Sequence, residues 1–177
     1  MDLRLEELAG ELLARRGSTV AVAESCTGGL LGDMLTDVPG SSTYFLGGVI
    51  AYHDDLKIGL LGVPPAVIRE HGAVSEECAL LMARGIRSAT GADFGISITG
   101  IAGPTGGTPA KPVGTVFVGL AGRDVERVEH FKWDGDRREN KRRSAQAALQ
   151  MLVGYLTGDQ GSGVRGQNLP ATLTPDP

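Results

Sequence analysis

The sequence predicts an α/β fold: a three-layer α/β/α sandwich around a mixed, mostly parallel sheet. Three observations lead to this class. Short apolar runs typical of strands alternate with segments whose apolar residues recur at helical spacing. The apolar runs are rich in Val, Ile and Ala without polar alternation, as expected for strands covered on both faces. A late "GRD" turn between two strand-like runs predicts a hairpin, so the sheet cannot be purely parallel.

Helices and strands alternate through the first part of the chain. The leucines of the first segment fall mainly on one helical face, and Gly17 is a typical residue for a helix end. Ser75 is the expected N-cap of a later helix, and Pro64 and Pro65 are expected to end the segment before it. The predicted elements are a helix at 2–16, a strand at 18–25, a helix at 28–36, a strand at 44–52, a short helix at 53–63, a helix at 74–90 and a strand at 93–99.

The second part predicts a loop, a hairpin and a long helix. The stretch "GIAGPTGGTPAKPVG" contains too much Gly and Pro for a regular element. The last helical segment has a basic first half and an apolar second half. The predicted elements are a loop at 100–114, strands at 115–121 and 125–133, and a helix at 136–156.

Composition limits the class of protein. With 177 residues, 41% of them hydrophobic, we expect one globular domain at 1–157 and a disordered tail at 158–177. A net charge of −4 makes nucleic acid an unexpected main partner, because nucleic-acid binding relies on excess Lys and Arg. No signal peptide or apolar run of about 18 residues is found, so we expect a cytoplasmic protein without a membrane segment.

The residue types of metal and disulfide sites are not clustered. The two cysteines have neither a CxxC spacing nor histidine neighbours, so we expect no disulfide framework and no zinc site. The sequence also has no HExxH motif and no Asp/His cluster. We therefore expect no metal and no cofactor.

Three predicted strands end in unusual residues. The strand ends carry "ESCTGG" at 24–29, "AYHDDLK" at 51–57 and "TGIAGP" at 99–104. In open α/β sheets, ligands bind outside the carboxyl ends of strands. If these three strands are neighbours, their ends form one pocket.

The turn at 25–29 connects a strand directly to a helix. Such a turn exposes a hydroxyl and directs free backbone N–H groups to the same point. Gly28 and Gly29 allow a ligand to approach the backbone closely. The local sequence leaves three interpretations open: Ser25 or Thr27 is only a helix cap, the turn binds a phosphate, or it carries a nucleophile.

A serine nucleophile requires a base. His53, His71 and His130 are not paired with an orienting acid in the sequence, and only His53 lies near one of these strand ends. Lys57 is a better candidate, because a helix N-terminus and partial burial both disfavour its ammonium form. Tyr52 could relay or position the proton. From the local sequence alone, a solvated lysine and an interfacial tyrosine are the simpler explanations.

Four segments carry a resemblance to a known family. They are "AESCTGGLLGDMLTDVPGSSTYFLGGVIAYHDDLKIGLLGV", "HGAVSEECA", "SITGIAGPTGGTPAKPVGTVFVGLA" and "FKWDGDRRENKRRSAQAAL". In this order they resemble the CinA C-terminal domain family of competence/damage-inducible proteins. The resemblance runs from about residue 4 to 157. It implies a nicotinamide-nucleotide amidase, which hydrolyses nicotinamide mononucleotide to nicotinate mononucleotide and ammonia in pyridine-nucleotide recycling. It also implies Ser25 as nucleophile, Lys57 as general base and Tyr52 as its partner, with backbone donors around Thr27 to Gly29.

The implied substrate needs an anion site and an attacked carbonyl. Backbone N–H groups and hydroxyls of the Gly-rich loop or the basic start of the last helix could take the phosphate. Lys141 stands where the family frequently has arginine, and lysine cannot form arginine's bidentate fork. The candidate binding residues beyond the turn are Thr99, Gly100, Ala102, Gly103, Thr105, Arg137 and Lys141.

The sequence alone leaves two alternatives to this reaction open. The same glycine loops could serve a non-enzymatic nucleotide-binding or interaction module linked to competence or the DNA damage response. Cys26 could itself be the nucleophile of a cysteine amidase. Full-length relatives carry a further N-terminal domain similar to molybdopterin-binding proteins, which this sequence does not show, so we expect no metal-dependent pyrophosphatase activity. We also expect a homo-oligomer.

Overall fold

A computed structural model describes residues 3–158, which form one five-stranded sheet between two layers of helices. None of the helices in this range has the length and apolar character to cross a bilayer. The elements are α1 (Leu5–Arg16), β1 (Val20–Glu24), α2 (Leu30–Thr36), a 3₁₀ turn (Ser41–Thr43), β2 (Phe45–Ile50), α3 (Asp54–Leu61), α4 (Pro65–His71), α5 (Glu76–Thr90), β3 (Phe94–Gly100), β4 (Thr115–Ala121), β5 (Glu126–Lys132) and α6 (Arg137–Thr157).

The strand order is β2-β1-β3-β4-β5. β1 pairs in parallel with β2 and β3, whereas β3–β4 and β4–β5 are antiparallel. Four of the five strands therefore point the same way, which confirms the predicted mixed, mostly parallel sheet. Glu24 lies level with Ile50 on one side and Ile98 on the other. The carboxyl ends of three adjacent strands thus meet at one edge, as the pocket prediction required.

The two faces of the sheet pack against different helices. α1, α2 and α6 cover one face, and α3, α4 and α5 cover the other. Val20 and Val22 of β1 point into the core under α1, α2 and α6, while Ala21 and Ala23 point into the core under α5. The small alanines bring α5 close to the sheet at the strand that carries Ser25.

The segment after α3 differs from the prediction. We expected Pro64 and Pro65 only to end a helix, but Pro65 also begins α4, a helix that the sequence analysis did not predict. Proline fits the first helical position, since its missing N–H would have no helical partner there. At the other end, Gly158 caps α6 in the left-handed conformation. The rest of the predicted tail, 159–177, lies outside the described residues.

Gly85 lets α5 touch the end of α3. A methyl group on Gly85 would overlap the carbonyl oxygen of Leu61, a backbone atom that cannot rotate away. Gly59 lies in α3 itself, and a methyl group there would meet no atom within 4 Å. A side chain at Gly85 would therefore clash with the backbone of α3, whereas one at Gly59 would not.

We expect Gly85→Ala to lower the free energy of unfolding by about 3 kcal/mol, because overpacking separates α5 from α3. Gly59→Ala is the matched control and should raise it by about 0.5–1 kcal/mol, since alanine is the better helix former. Thermal and urea unfolding of both variants measure these changes. Equal effects in the two variants would contradict the close approach of the helices.

Candidate active site

Ser25 lies where the ends of the three parallel strands meet. Its N–H donates to the carbonyl oxygen of Ile98 in β3 at 2.9 Å. On the other side, the N–H of Ala51 donates to the carbonyl oxygen of Glu24 at 2.8 Å. These bonds continue the sheet by one residue beyond β1 and β2. The structure thus brings together the three segments that the sequence analysis placed in one pocket.

The carboxylate of Glu24 fixes the turn that follows β1. Glu24 is 1% exposed and accepts the backbone N–H groups of Gly29 (3.1 Å), Leu31 (3.1 Å) and Gly32 (2.8 Å). It therefore caps α2 from inside the protein. From the sequence, a cap by Ser25 or Thr27 was one of three open interpretations, and no role was predicted for Glu24. The available signal was a carboxylate at the end of an otherwise apolar strand.

Glu24 changes which backbone donors are open to a ligand. The N–H of Gly29 is bound to Glu24, and that of Gly28 donates to the Ser25 carbonyl oxygen at 3.1 Å. In residues 3–158, the N–H of Thr27 makes no such bond, and the Thr27 hydroxyl, 1% exposed, is buried without a partner. The donors predicted around Thr27 to Gly29 are thereby reduced to those of Thr27.

Lys57 is buried although it lies near the N-terminus of α3. Its side chain is 2% exposed, and Nζ donates to Asp54 Oδ1 at 3.1 Å and to the Tyr52 carbonyl oxygen at 3.4 Å. Ala21 and Ala23 face this same side of the sheet, under α5. The alternation of β1, continued by one step, directs Ser25 to that side as well. The fold therefore places the candidate nucleophile and the candidate base on one face.

The three histidines of the chain make other contacts. His53 is the N-cap of α3, where Nδ1 accepts the Asp55 N–H at 3.3 Å. Asp54 and Asp55 follow this cap in the first turn of α3, and the carboxylate of Asp54 contacts Lys57. His71 pairs with a glutamate of α5, and His130 stacks on a phenylalanine of β4.

Tyr52, which follows β2, is hydrogen-bonded to Arg137 at the start of α6. The Tyr52 hydroxyl accepts from an Arg137 guanidinium nitrogen at 3.0 Å, and the same guanidinium donates to the Gly103 carbonyl oxygen at 2.7 Å. Tyr52 touches Lys57 through its carbonyl oxygen. Tyr52 therefore contacts Lys57 through its backbone, while its phenol hydroxyl is hydrogen-bonded to Arg137.

The loop after β3 is fixed by α6. The Asn140 amide donates to the Ala102 carbonyl oxygen at 3.1 Å, and its oxygen accepts the Gly135 N–H at 3.1 Å. Asn140 is buried and was not among the predicted residues. The Thr99 hydroxyl donates to the carbonyl oxygen of Ala73 at 2.7 Å, so it holds the segment before α5 rather than lying open to a ligand.

The outer residues of this loop line a cavity. Gly100 ends β3, and Thr105 is exposed beyond the fixed part of the loop. A cavity of about 480 Å³ lies between the loop and the start of α6. Its lining residues are Ala102, Pro104, Val113, Gly135, Asp136, Arg137 and Arg138.

Lys141 brings a second cation to the turn. Its Nζ lies 3.8 Å from the point that a Cβ of Gly28 would occupy. Across the described part of the chain, its ammonium forms no ion pair or hydrogen bond. In that same part, no group of three or more His, Cys, Asp or Glu side chains comes together as a metal site. The site therefore offers cationic groups to an anionic ligand.

The chain is similar to proteins of one family. A family model described as the CinA C-terminal domain matches residues 2–156. A CinA-like protein of Chlorobaculum tepidum is 56% identical over 157 residues, which cover 86% of this chain and 37% of the relative. A CinA-like protein of Thermotoga maritima is 50% identical over 161 residues, covering 89% and 38%. The chain thus spans 37–38% of the length of these two relatives.

Solved structures with the same fold come from related proteins. The competence/damage inducible protein CihA of Agrobacterium tumefaciens has a TM-score of 0.82 and 37% identity, with 89% of this chain and 99% of that chain covered. A CinA superfamily protein of Klebsiella pneumoniae has a TM-score of 0.84 and 32% identity, covering 87% and 96%. Both likenesses extend through the sheet and its helices.

We expect both cysteine thiols to be unreactive in the folded protein. Burial raises the pKa of Cys26 to about 12 and that of Cys78 to about 11, so neither forms thiolate at pH 7–8. Iodoacetamide should modify neither residue at pH 8, whereas both should react in urea, as mass spectrometry of the labelled chain would show. Fast labelling of native Cys26 at pH 8 would return it to the list of candidate nucleophiles.

Proposed function

The chain belongs to the CinA C-terminal domain family, and on this basis we propose that it is an amidase that hydrolyses nicotinamide mononucleotide to nicotinate mononucleotide and ammonia. The observation that carries the proposal is the position of Ser25 directly after β1, between the ends of β2 and β3, on the sheet face that also carries α3 with the buried amine of Lys57. The reaction belongs to the pyridine-nucleotide recycling that the family resemblance implies.

In the proposed reaction, Ser25 attacks the carboxamide carbon and Lys57 accepts the serine proton. The oxyanion that develops on the carbonyl oxygen needs a donor that is not already bound. The Thr27 N–H fits this requirement, because Glu24 and Ser25 itself engage the N–H groups of Gly29 and Gly28. Water then hydrolyses the acyl-enzyme, with Lys57 as base again.

The phosphate of the substrate is assigned to the α6 side of the pocket. Arg137 lines the cavity of about 480 Å³ beside the loop, whose lining includes neither Ser25 nor Lys57, so this cavity is proposed for the phosphate end of the substrate alone. Lys141 adds a charge that has no partner in residues 3–158 and lies beside Gly28. A lysine binds phosphate as a point charge, whereas an arginine would add a bidentate geometry.

One observation favours the non-enzymatic alternative, a nucleotide-binding or interaction module linked to competence or DNA damage. Lys57 forms an ion pair with Asp54, and a charged lysine would suit a phosphate ligand. The burial of Lys57 argues against this role. A lysine that binds a phosphate at the surface would be exposed, whereas Lys57 is 2% exposed. Burial favours the role of a base.

Location and assembly are proposed on other grounds. Cys26 and Cys78 are both free thiols, as is usual in the reducing cytoplasm, where we place the protein. A homo-oligomer and the absence of a nucleic-acid partner stay predictions from the sequence.

We predict that Ser25→Ala abolishes ammonia release from nicotinamide mononucleotide and leaves substrate binding largely intact. The substitution removes the attacking oxygen but not the backbone bonds of the turn, so the loss should fall on kcat by at least about a thousandfold. Ser88→Ala, at an exposed position of α5, is the matched control. Ammonia release at saturating substrate measures the effect, and an unchanged kcat would remove Ser25 from the mechanism.

Two substitutions of Lys57 separate the base from the phosphate ligand. Lys57→Met keeps the apolar stem, so it should fold and lose the chemical step. Lys57→Arg should fail as well, because a guanidinium stays protonated and cannot accept the serine proton. Lys132→Met, at an exposed position of β5, is the control. Substantial turnover by Lys57→Arg in steady-state assays would contradict the base and favour the binding module.

A further inference from the structure

The ion pair between Lys57 and Asp54 joins two side chains of unequal burial. Lys57 is 2% exposed and Asp54 is 48% exposed, and Nζ lies 3.1 Å from Oδ1 across one turn of α3. A buried ammonium without a partner would be strongly destabilised, because it has lost its hydration. Asp54 can compensate this charge while it still reaches water itself.

In residues 3–158, Lys57 forms no ion pair other than the one with Asp54. The carbonyl oxygen of Tyr52 accepts a hydrogen bond at 3.4 Å. Cys78 of α5, the helix packed against α3, lies within electrostatic range of both Lys57 and Asp54. Burial raises the pKa of this thiol to about 11, so it is neutral at pH 7. Lys111 also acts on Cys78, but it is a cation. Asp54 therefore supplies the negative charge at Lys57.

We propose that Asp54 is a positioning residue of the amidase: it orients the Lys57 amine and stabilises the ammonium that forms when Lys57 takes the proton of Ser25. The inference rests on the proposed function. An acid that is hydrogen-bonded to a general base acts in this way without accepting the proton itself. His53 leaves Asp54 free for this contact, because His53 provides the N-cap of α3.

The proton transfers balance over both halves of the reaction. As the bond from Ser25 Oγ to the carboxamide carbon forms, the hydroxyl proton moves to Nζ. As the carbon–nitrogen bond breaks, the ammonium returns this proton to the leaving nitrogen, which departs as ammonia. Water then attacks the acyl carbon and gives a proton to Nζ, and that proton passes to Oγ as the ester bond breaks. Asp54 keeps its charge throughout.

The charge of Asp54 should set the pH at which activity appears. Because the carboxylate favours the ammonium, it raises the pH needed to obtain the neutral amine that accepts the serine proton. In Asp54→Asn the amide keeps an acceptor oxygen but loses the charge. We therefore expect the acid limb of the kcat/KM profile to move to lower pH by about one unit. We also expect kcat on the plateau to fall about tenfold, as the ammonium formed in the reaction loses its partner.

Asp55 provides a matched control. It is the next residue of α3, is 85% exposed and pairs with His53 rather than with Lys57. Asp55→Asn should leave both the acid limb of the kcat/KM profile and the plateau value of kcat unchanged. Asp54→Glu keeps the charge and should retain most of the wild-type pH profile, a rescue that a purely structural role of Asp54 would not predict. Circular dichroism confirms that each variant is folded before its kinetics are compared.

A second measurement does not depend on activity. The chain has four lysines, so Lys57 can be followed by NMR of protein labelled at lysine Cε and assigned with Lys57→Met. The titration midpoint of Lys57 should be lower in Asp54→Asn than in the wild type or in Asp55→Asn. An unchanged midpoint in Asp54→Asn would overturn the inference. A lowered midpoint in a protein that releases no ammonia would refute the amidase proposal and still support the control of Lys57 by Asp54.

Discussion

The site depends on where the carboxylate of Glu24 makes its hydrogen bonds. Three backbone N–H groups at the start of α2 donate to this one buried side chain. Burying a carboxylate costs several kcal/mol, and each charge-assisted bond returns about 1.5–3 kcal/mol, so the net contribution to stability is small. What the arrangement determines is geometry: β1 must turn at Ser25, and the helix donors are occupied before a ligand arrives.

The second constraint is the way α6 crosses the open edge of the sheet. Arg137 connects the Tyr52 hydroxyl, which follows β2, to the Gly103 carbonyl, which follows β3. Asn140, one turn further along α6, holds the Ala102 carbonyl of the same loop. Since β1 lies between β2 and β3, these contacts span the strand that carries Ser25. The loop and the two strand ends are therefore fixed relative to the nucleophile by a helix that comes last in the chain.

The sequence allowed the strands, most helices and the meeting of three strand ends to be predicted, because apolar periodicity and Gly/Pro signals are local. The role of Asn140 was missed because it holds Ala102, which lies 38 positions away in the sequence. Glu24 bonds to residues five to eight positions further on, but a carboxylate placed before the N-cap residue itself is not a usual capping signal. At α3 the local pattern also leaves the detail open: aspartate is the commoner cap, but His53 caps the helix while Asp54, in the first turn, pairs with Lys57.

Two lysines of the site show how burial and pairing separate chemical roles. Lys57 is buried and has a carboxylate partner, whereas Lys141 is partly exposed and has no ion-pair partner in residues 3–158. An unpaired ammonium that keeps its hydration stays charged and can attract an anion at little cost. A buried amine is subject to two opposed effects. Burial favours the neutral amine, because a buried charge has lost its hydration, whereas an adjacent carboxylate favours the ammonium. Lys57 is subject to both effects, since it is 2% exposed and its amine lies 3.1 Å from the Asp54 carboxylate. A base that accepts a proton and then returns it needs a site that tolerates both of its forms.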